Sequence, residues 1–141
     1  MKILISALTL MLTSCSTTPA TYNYDKNKSY SRTYDQVWED VIGFFATRNI
    51  QIKTIEKDSV VIYAERNSFD ETLADCGQAG IAHVVTRTVT LNVFVTRSEN
   101  EPKVNVNTRF NETRQFDRST WTVECNSKGV IEKAVLESIR Q

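Results

Sequence analysis

Residues 83–96 read HVVTRTVTLNVFVT, from His83 to Thr96. Val85, Val89, Leu91, Val93 and Val95 share one parity, and Thr88, Thr90, Asn92, Phe94 and Thr96 share the other. A period of two is that of a β-strand, whose successive side chains point to opposite faces. One face is therefore core and the other mostly wet, the pattern of an antiparallel sheet covered on one side only. Ser98 to Lys103, with Asn100 and Pro102, makes a turn, after which Val104, Val106, Thr108 and Phe110 alternate with Asn105, Asn107, Arg109 and Asn111. Two such runs joined by a short turn form a hairpin.

A second hairpin precedes this one. Ile50 and Ile52 alternate with Gln51 and Lys53 as far as Ile55, Glu56-Lys57-Asp58-Ser59 is a turn-forming tetrapeptide, and Val60 to Ala64 is a β-branched run. Amphipathic helices flank the two hairpins. Thr33 with Gln36 fits a capping box, and Tyr34, Val37, Trp38, Val41, Ile42 and Phe45 then stack on one stripe of a 3.6-residue helix, with Asp35, Glu39, Asp40 and Arg48 off it. Near the end of the chain, Asn126 or Ser127 can cap a helix with Ile131, Val135, Leu136 and Ile139 inside and Glu132, Lys133, Glu137 and Arg140 outside. The predicted fold is α+β: a four-stranded antiparallel sheet with two helices packed on one face, in the order α-β-β-β-β-α. Thr120 to Cys125 is the candidate for a fifth strand, and the end of the segment before Thr33 can pair as an edge.

The first fifteen residues carry a different message. Lys2 is a short positive region, Ile3 to Leu12 an apolar run too short to span a bilayer, and Leu12-Thr13-Ser14-Cys15 reads as a lipobox. The stretch resembles bacterial lipoprotein precursors. The resemblance implies a signal peptide over 1–14, cleavage before Cys15, a diacylglyceryl thioether on Cys15 and usually an acylated amino terminus, so that two or three chains anchor the protein to a membrane. Ser16, where an aspartate would favour inner-membrane retention, leans towards the outer membrane, with the domain facing the periplasm. Residues 15–30 then read as the lipidated cysteine and a tether rich in Ser, Thr, Asn and Lys, and 31–141 as a single domain.

Removing residues 1–14 from 141 leaves 127, enough for one modest core. Lys and Arg number 17 against 17 Asp and Glu, and the loss of Lys2 leaves 16 against 17, which is no electrostatic footprint for nucleic acid. Of three cysteines, one would be lipidated. In an oxidising periplasm Cys76 and Cys125 are then expected to pair, closing a loop of about fifty residues worth roughly 4 kcal/mol in the chain-entropy model. The rival reading, a metal site, would need carboxylates to complete it, because His83 is the sole histidine.

Beyond the lipobox, the run Val37-Trp38-Glu39-Asp40-Val41, then Asn49-Ile50-Gln51-Ile52, then Val60 to Glu65, together with Cys125 to Glu132, resembles small Gram-negative lipoproteins. Their helix-grip domains are similar to those of BamC, an accessory lipoprotein of the outer-membrane β-barrel assembly machinery. The Cys-x-Ser-x-Gly-x-x-Glu approach to the last helix is the most particular feature of this likeness. Val60 departs from it, since such domains often place a glycine there. BamC has two such domains and this chain has room for one.

No Gly-rich phosphate loop, zinc-binding HExxH or nucleophile elbow is present, and the single histidine leaves a Ser or Cys nucleophile without an evident base. Carboxylate neighbours such as Asp70 with Glu71, or Glu99 with Glu101, fall in turns and read as solvated charge. The expectation is a protein that is not an enzyme and needs no cofactor or metal. Two surfaces remain. Phe69 and Leu73, in the irregular stretch Asn67 to Ala82, could be held with Trp121 as an apolar patch for another envelope protein, making this an adaptor or accessory subunit. The alternative is a peptidoglycan or other glycan-binding module using Asn105, Asn107 and Arg109 on the polar sheet face, with Asn111, Thr88, Thr90 and Asn92 beside them.

Overall fold

The long hairpin is the spine of the structure, a computed structural model that describes residues 18–98 and 100–141. In chain order the elements are β1 (Asn27–Ser29), α1 (Tyr34–Thr47), β2 (Gln51–Glu56), β3 (Val61–Arg66), β4 (Ala74–Asp75), β5 (His83–Thr96), β6 (Lys103–Phe116), β7 (Ser119–Ser127) and α2 (Val130–Ser138). The strands form one path β2-β3-β5-β6-β7-β4, with β1 added against β6, and every pairing is antiparallel. The expected signal peptide, lipobox and lipidated Cys15 fall on residues outside those described.

The α+β class and the two helices are as expected, but the strand count and order are not. Seven strands replace the four or five, and the order is β-α-β-β-β-β-β-β-α, so that a strand and not a helix leads. The candidate fifth strand at Thr120 to Cys125 forms as β7 and the edge pairing before Thr33 forms as β1, whereas β4, with two residues, is too short to register as a period. β1 and β7 share one edge of β6, the first pairing with Lys103 to Asn105 and the second with Phe110 to Phe116. β1 thus occupies the edge that β7 leaves when the chain turns into α2.

The core lies between the sheet and the helices. Val89, Leu91, Val93 and Val95 of β5, Val104, Val106 and Phe110 of β6, and Ile62 and Ala64 of β3 are all buried. They meet Val37, Trp38, Val41, Phe44 and Phe45 of α1 and Ile131, Val135 and Leu136 of α2. Val85, expected on this face, is exposed instead. A bulge between Val84 and Thr86 sets an extra residue in β5 and breaks the alternation there.

The capping box of α1 forms as expected: the Thr33 hydroxyl accepts from the Gln36 N–H, and the Gln36 side chain accepts from the Thr33 N–H. Asn49 beyond its end takes φ 54°, the left-handed conformation that closes helices and that asparagine tolerates. The start of α2 differs from expectation. Its N-cap is Gly129, without a side-chain cap, while the Ser127 hydroxyl accepts the Gly129 N–H at 3.0 Å. Gly129 has φ 78°, and a Cβ there would run into the ring of Tyr24. Glu132, expected outside the stripe, is fully buried because two hydroxyls reach its carboxylate, Ser127 at 3.0 Å and Thr108 from β6.

The segment expected to be a tether is bound to the domain from Pro19 onward. Asn126 Nδ2 donates to the carbonyls of Pro19 and Ala20, the Ala20 N–H donates to Asp75, Tyr24 covers Gly129, and Tyr30 is buried with its hydroxyl donating to the Leu136 carbonyl at 2.6 Å. Polar composition concealed this, because the segment is held mainly by main-chain and amide groups and by two tyrosines rather than by an apolar period.

Candidate functional site

Beyond the helices, the inner face of the sheet continues under the chain from Asn67 to Ala82. Glu112 and Arg114 keep the inward phase of Val104, Val106 and Phe110, and they are 1% and 7% exposed. Buried charge persists only when paired and hydrogen-bonded. Glu112 accepts Nε of Arg114 on one oxygen and Nε of Arg87 on the other, both at 2.7 Å. Arg114 then donates to the carbonyls of Cys76 at 2.7 Å, Gly77 at 3.1 Å and Gln78 at 3.0 Å. One guanidinium thereby serves three loop carbonyls. Cys76 and Cys125 form the expected disulfide, which joins the same loop to β7.

This arrangement decides the fate of the apolar patch. Phe69 turns inward, 7% exposed and edge-to-face on Phe110, with the Arg87 guanidinium over its ring. Leu73 is half-buried against the core. Trp121 stays 42% exposed on β7, paired with Arg114 across the ladder. The three do not make one surface. A cleft of about 670 Å³ does lie here, between Thr18 and Ala20 on one side and Asp75 to Gly80, Val84 and Arg87 on the other. Asp75, at its wall, is held below the usual carboxylate range by the N–H of Gly77 and then that of Ala20. Asp75 and Glu112 are thus committed to structural donors.

The opposite face of the sheet brings Asn105, Asn107 and Arg109 into one row on β6, as expected. Across the ladder they face Phe94, Asn92 and Thr90 on β5, with Tyr63 and Glu65 on β3 beyond. Asn107 donates to Asn105, and Asn105 donates to Asn27 at 2.6 Å, so that β1 extends the amide ladder. Tyr63 donates to Glu65 at 2.5 Å, and that hydrogen bond raises its hydroxyl pKa. Arg109 stands 3.8 Å from Glu124, both well exposed, a pairing worth little in water. A depression of about 450 Å³ lined by Tyr63, Thr90, Asn92, Asn107, Arg109 and Asn111 results. An aromatic ring among planar amides, hydroxyls and one guanidinium offers stacking with donors and acceptors, the chemistry of polyol recognition.

His83 sits exposed at the start of β5. Among the described residues no three His, Cys, Asp or Glu side chains converge as a metal site would require, and no helix is long and apolar enough to cross a membrane. The Arg87-Glu112-Arg114 network was not anticipated from the sequence, although a signal was present: charged residues standing in the inward phase of a strand must be paired. No protein-family model and no curated protein matches the chain.

Proposed function

We propose that this chain is a lipid-anchored, periplasm-facing envelope protein that binds an extended glycan on its open sheet face and catalyses no reaction. The depression around Tyr63, Asn92, Asn107 and Arg109 carries the reading, because among the described residues the helices and the Asn67 to Ala82 loop cover the other face of the central strands and leave this one open. The lipobox and Ser16 support placement at the outer membrane. Cosedimentation with purified peptidoglycan tests the glycan reading: removing a charged donor together with an amide, in Asn107→Ala/Arg109→Ala, is expected to weaken retention by about tenfold or more. Unchanged retention of that double variant overturns it.

An accessory subunit that docks on another envelope protein is the second reading, favoured by the exposure of Trp121. Its surface would be the strand end around Trp121, since Phe69 and Leu73 are engaged inside. Co-purification of a stoichiometric protein from solubilised envelopes, lost in Trp121→Ala, supports it; an unchanged set of co-purifying proteins removes it.

A further inference from the structure

Traced backward from Ser29, the lead segment follows the line of β7 towards the β6–β7 turn. Asn27 lies opposite Asn105, the Lys26 carbonyl accepts from the Val106 N–H, Tyr24 covers Gly129, and the carbonyls of Pro19 and Ala20 meet Asn126. Thr18 reaches the cleft walled by Gln78, Ala79 and Gly80. Thr18 is three positions beyond Cys15, a reach of at most about 11 Å. Acyl chains on Cys15 would therefore hold the cleft side of the domain close to the lipid.

The same side gathers exposed apolar side chains. Ile81 is 76% exposed, and Val84, Val85, Phe116 and Trp121 are each more than two-fifths exposed. Val84 and Trp121 flank Arg114 across adjacent strands, and Phe116 lies two residues beyond Arg114 on β6. An apolar rim of this kind, with an indole at its edge, suits the boundary between headgroups and acyl chains.

We propose that the strand end formed by Ile81, Val84, Phe116 and Trp121 inserts into the interfacial layer of the membrane that holds Cys15, so that lipid and protein together fix the orientation of the domain. The inference rests on the lipoprotein reading. A second point of contact, beside the acylated cysteine, stops the domain from swivelling about its anchor and holds the polar sheet face at a constant height above the bilayer.

The test uses the full lipidated protein in vesicles of phosphatidylethanolamine and phosphatidylglycerol, with and without brominated acyl chains. Trp38, buried in the core, is the internal reference for Trp121. Brominated lipid is expected to remove roughly half of the Trp121 emission, as for an indole in the interfacial belt, and to leave the residual emission of Trp121→Phe unchanged. Unquenched Trp121 in protein that floats with the vesicles overturns the proposal and directs this rim towards a protein partner instead. Protein that does not float and carries no diacylglyceryl mass on Cys15 overturns the lipoprotein reading, and the proposal with it.

Discussion

Glu112 and Arg114 stand two residues apart on β6, both buried, and share a 2.7 Å ion pair on the inner face of the sheet. Arg87 binds the other oxygen of Glu112, and Arg114 holds the carbonyls of Cys76, Gly77 and Gln78. The strand thus changes from apolar core to polar clasp where helix cover ends and loop cover begins.

Breaking that clasp on one side leaves charge buried without its partner, which costs about 3–5 kcal/mol. Glu112→Ala is expected to lose that much in urea unfolding, and Arg114→Ala to lose about as much while freeing the loop. Glu112→Ala/Arg114→Ala removes both charges and should cost less than the two single changes added together. A double-mutant cycle that is additive within error would show the pair to be uncoupled.

The disulfide acts on the same loop from the other side. Cys76 and Cys125 are 49 positions apart, and a cross-link of that span limits the unfolded chain by roughly 4 kcal/mol. Cys76→Ser/Cys125→Ser is expected to lower stability by about that amount or somewhat less, with limited proteolysis cutting first between Gly77 and Ala82. If the midpoint of unfolding is the same with and without reductant, the bridge contributes nothing.

Val60 takes φ 56°, a conformation that a β-branched residue adopts at a cost of about 1–2 kcal/mol. The position is held because its N–H donates to the Lys57 carbonyl and its own carbonyl accepts from the Val95 N–H. Val60→Asn should raise the thermal midpoint, and Val60→Gly should raise it less, since glycine gives back roughly 0.5–1 kcal/mol in backbone entropy. A fall in the midpoint for both variants would mean that the Val60 side chain contributes more than its backbone costs.

Asp40 of α1 receives the Arg140 guanidinium at 2.9 Å, the Arg140 N–H at 3.1 Å and Arg32 at 2.5 Å. These donors, Arg140 first, hold its carboxyl below the ordinary 3.8. The folded state therefore binds fewer protons than the unfolded state as pH falls, so this contribution is complete above the ordinary value and is lost from there down towards the depressed one. Urea midpoints measured from neutral pH down through that window should fall, and Asp40→Asn should flatten that part of the slope while costing about 1–3 kcal/mol at neutral pH. An unaltered slope would assign the acid sensitivity to other carboxylates, such as Asp75.

Local period and composition determined the α+β class, both helices, the capping box, the two hairpins and the pairing of Cys76 with Cys125. Each depends on residues close in sequence, except the disulfide, which was expected from three cysteines once Cys15 was set aside as the lipidation site. The row Asn105, Asn107 and Arg109 was legible for the same reason, since alternation alone assigns a face. Tertiary structure decided what alternation cannot: that Phe69 packs on Phe110, that Glu112 and Glu132 go inside because Arg87, Arg114, Thr108 and Ser127 meet them, and that Pro19 to Ser29 is laid on the sheet edge. Those outcomes depend on groups brought together from distant regions of the chain, and a buried carboxylate or a bound main-chain segment has no periodic signature until its partners arrive.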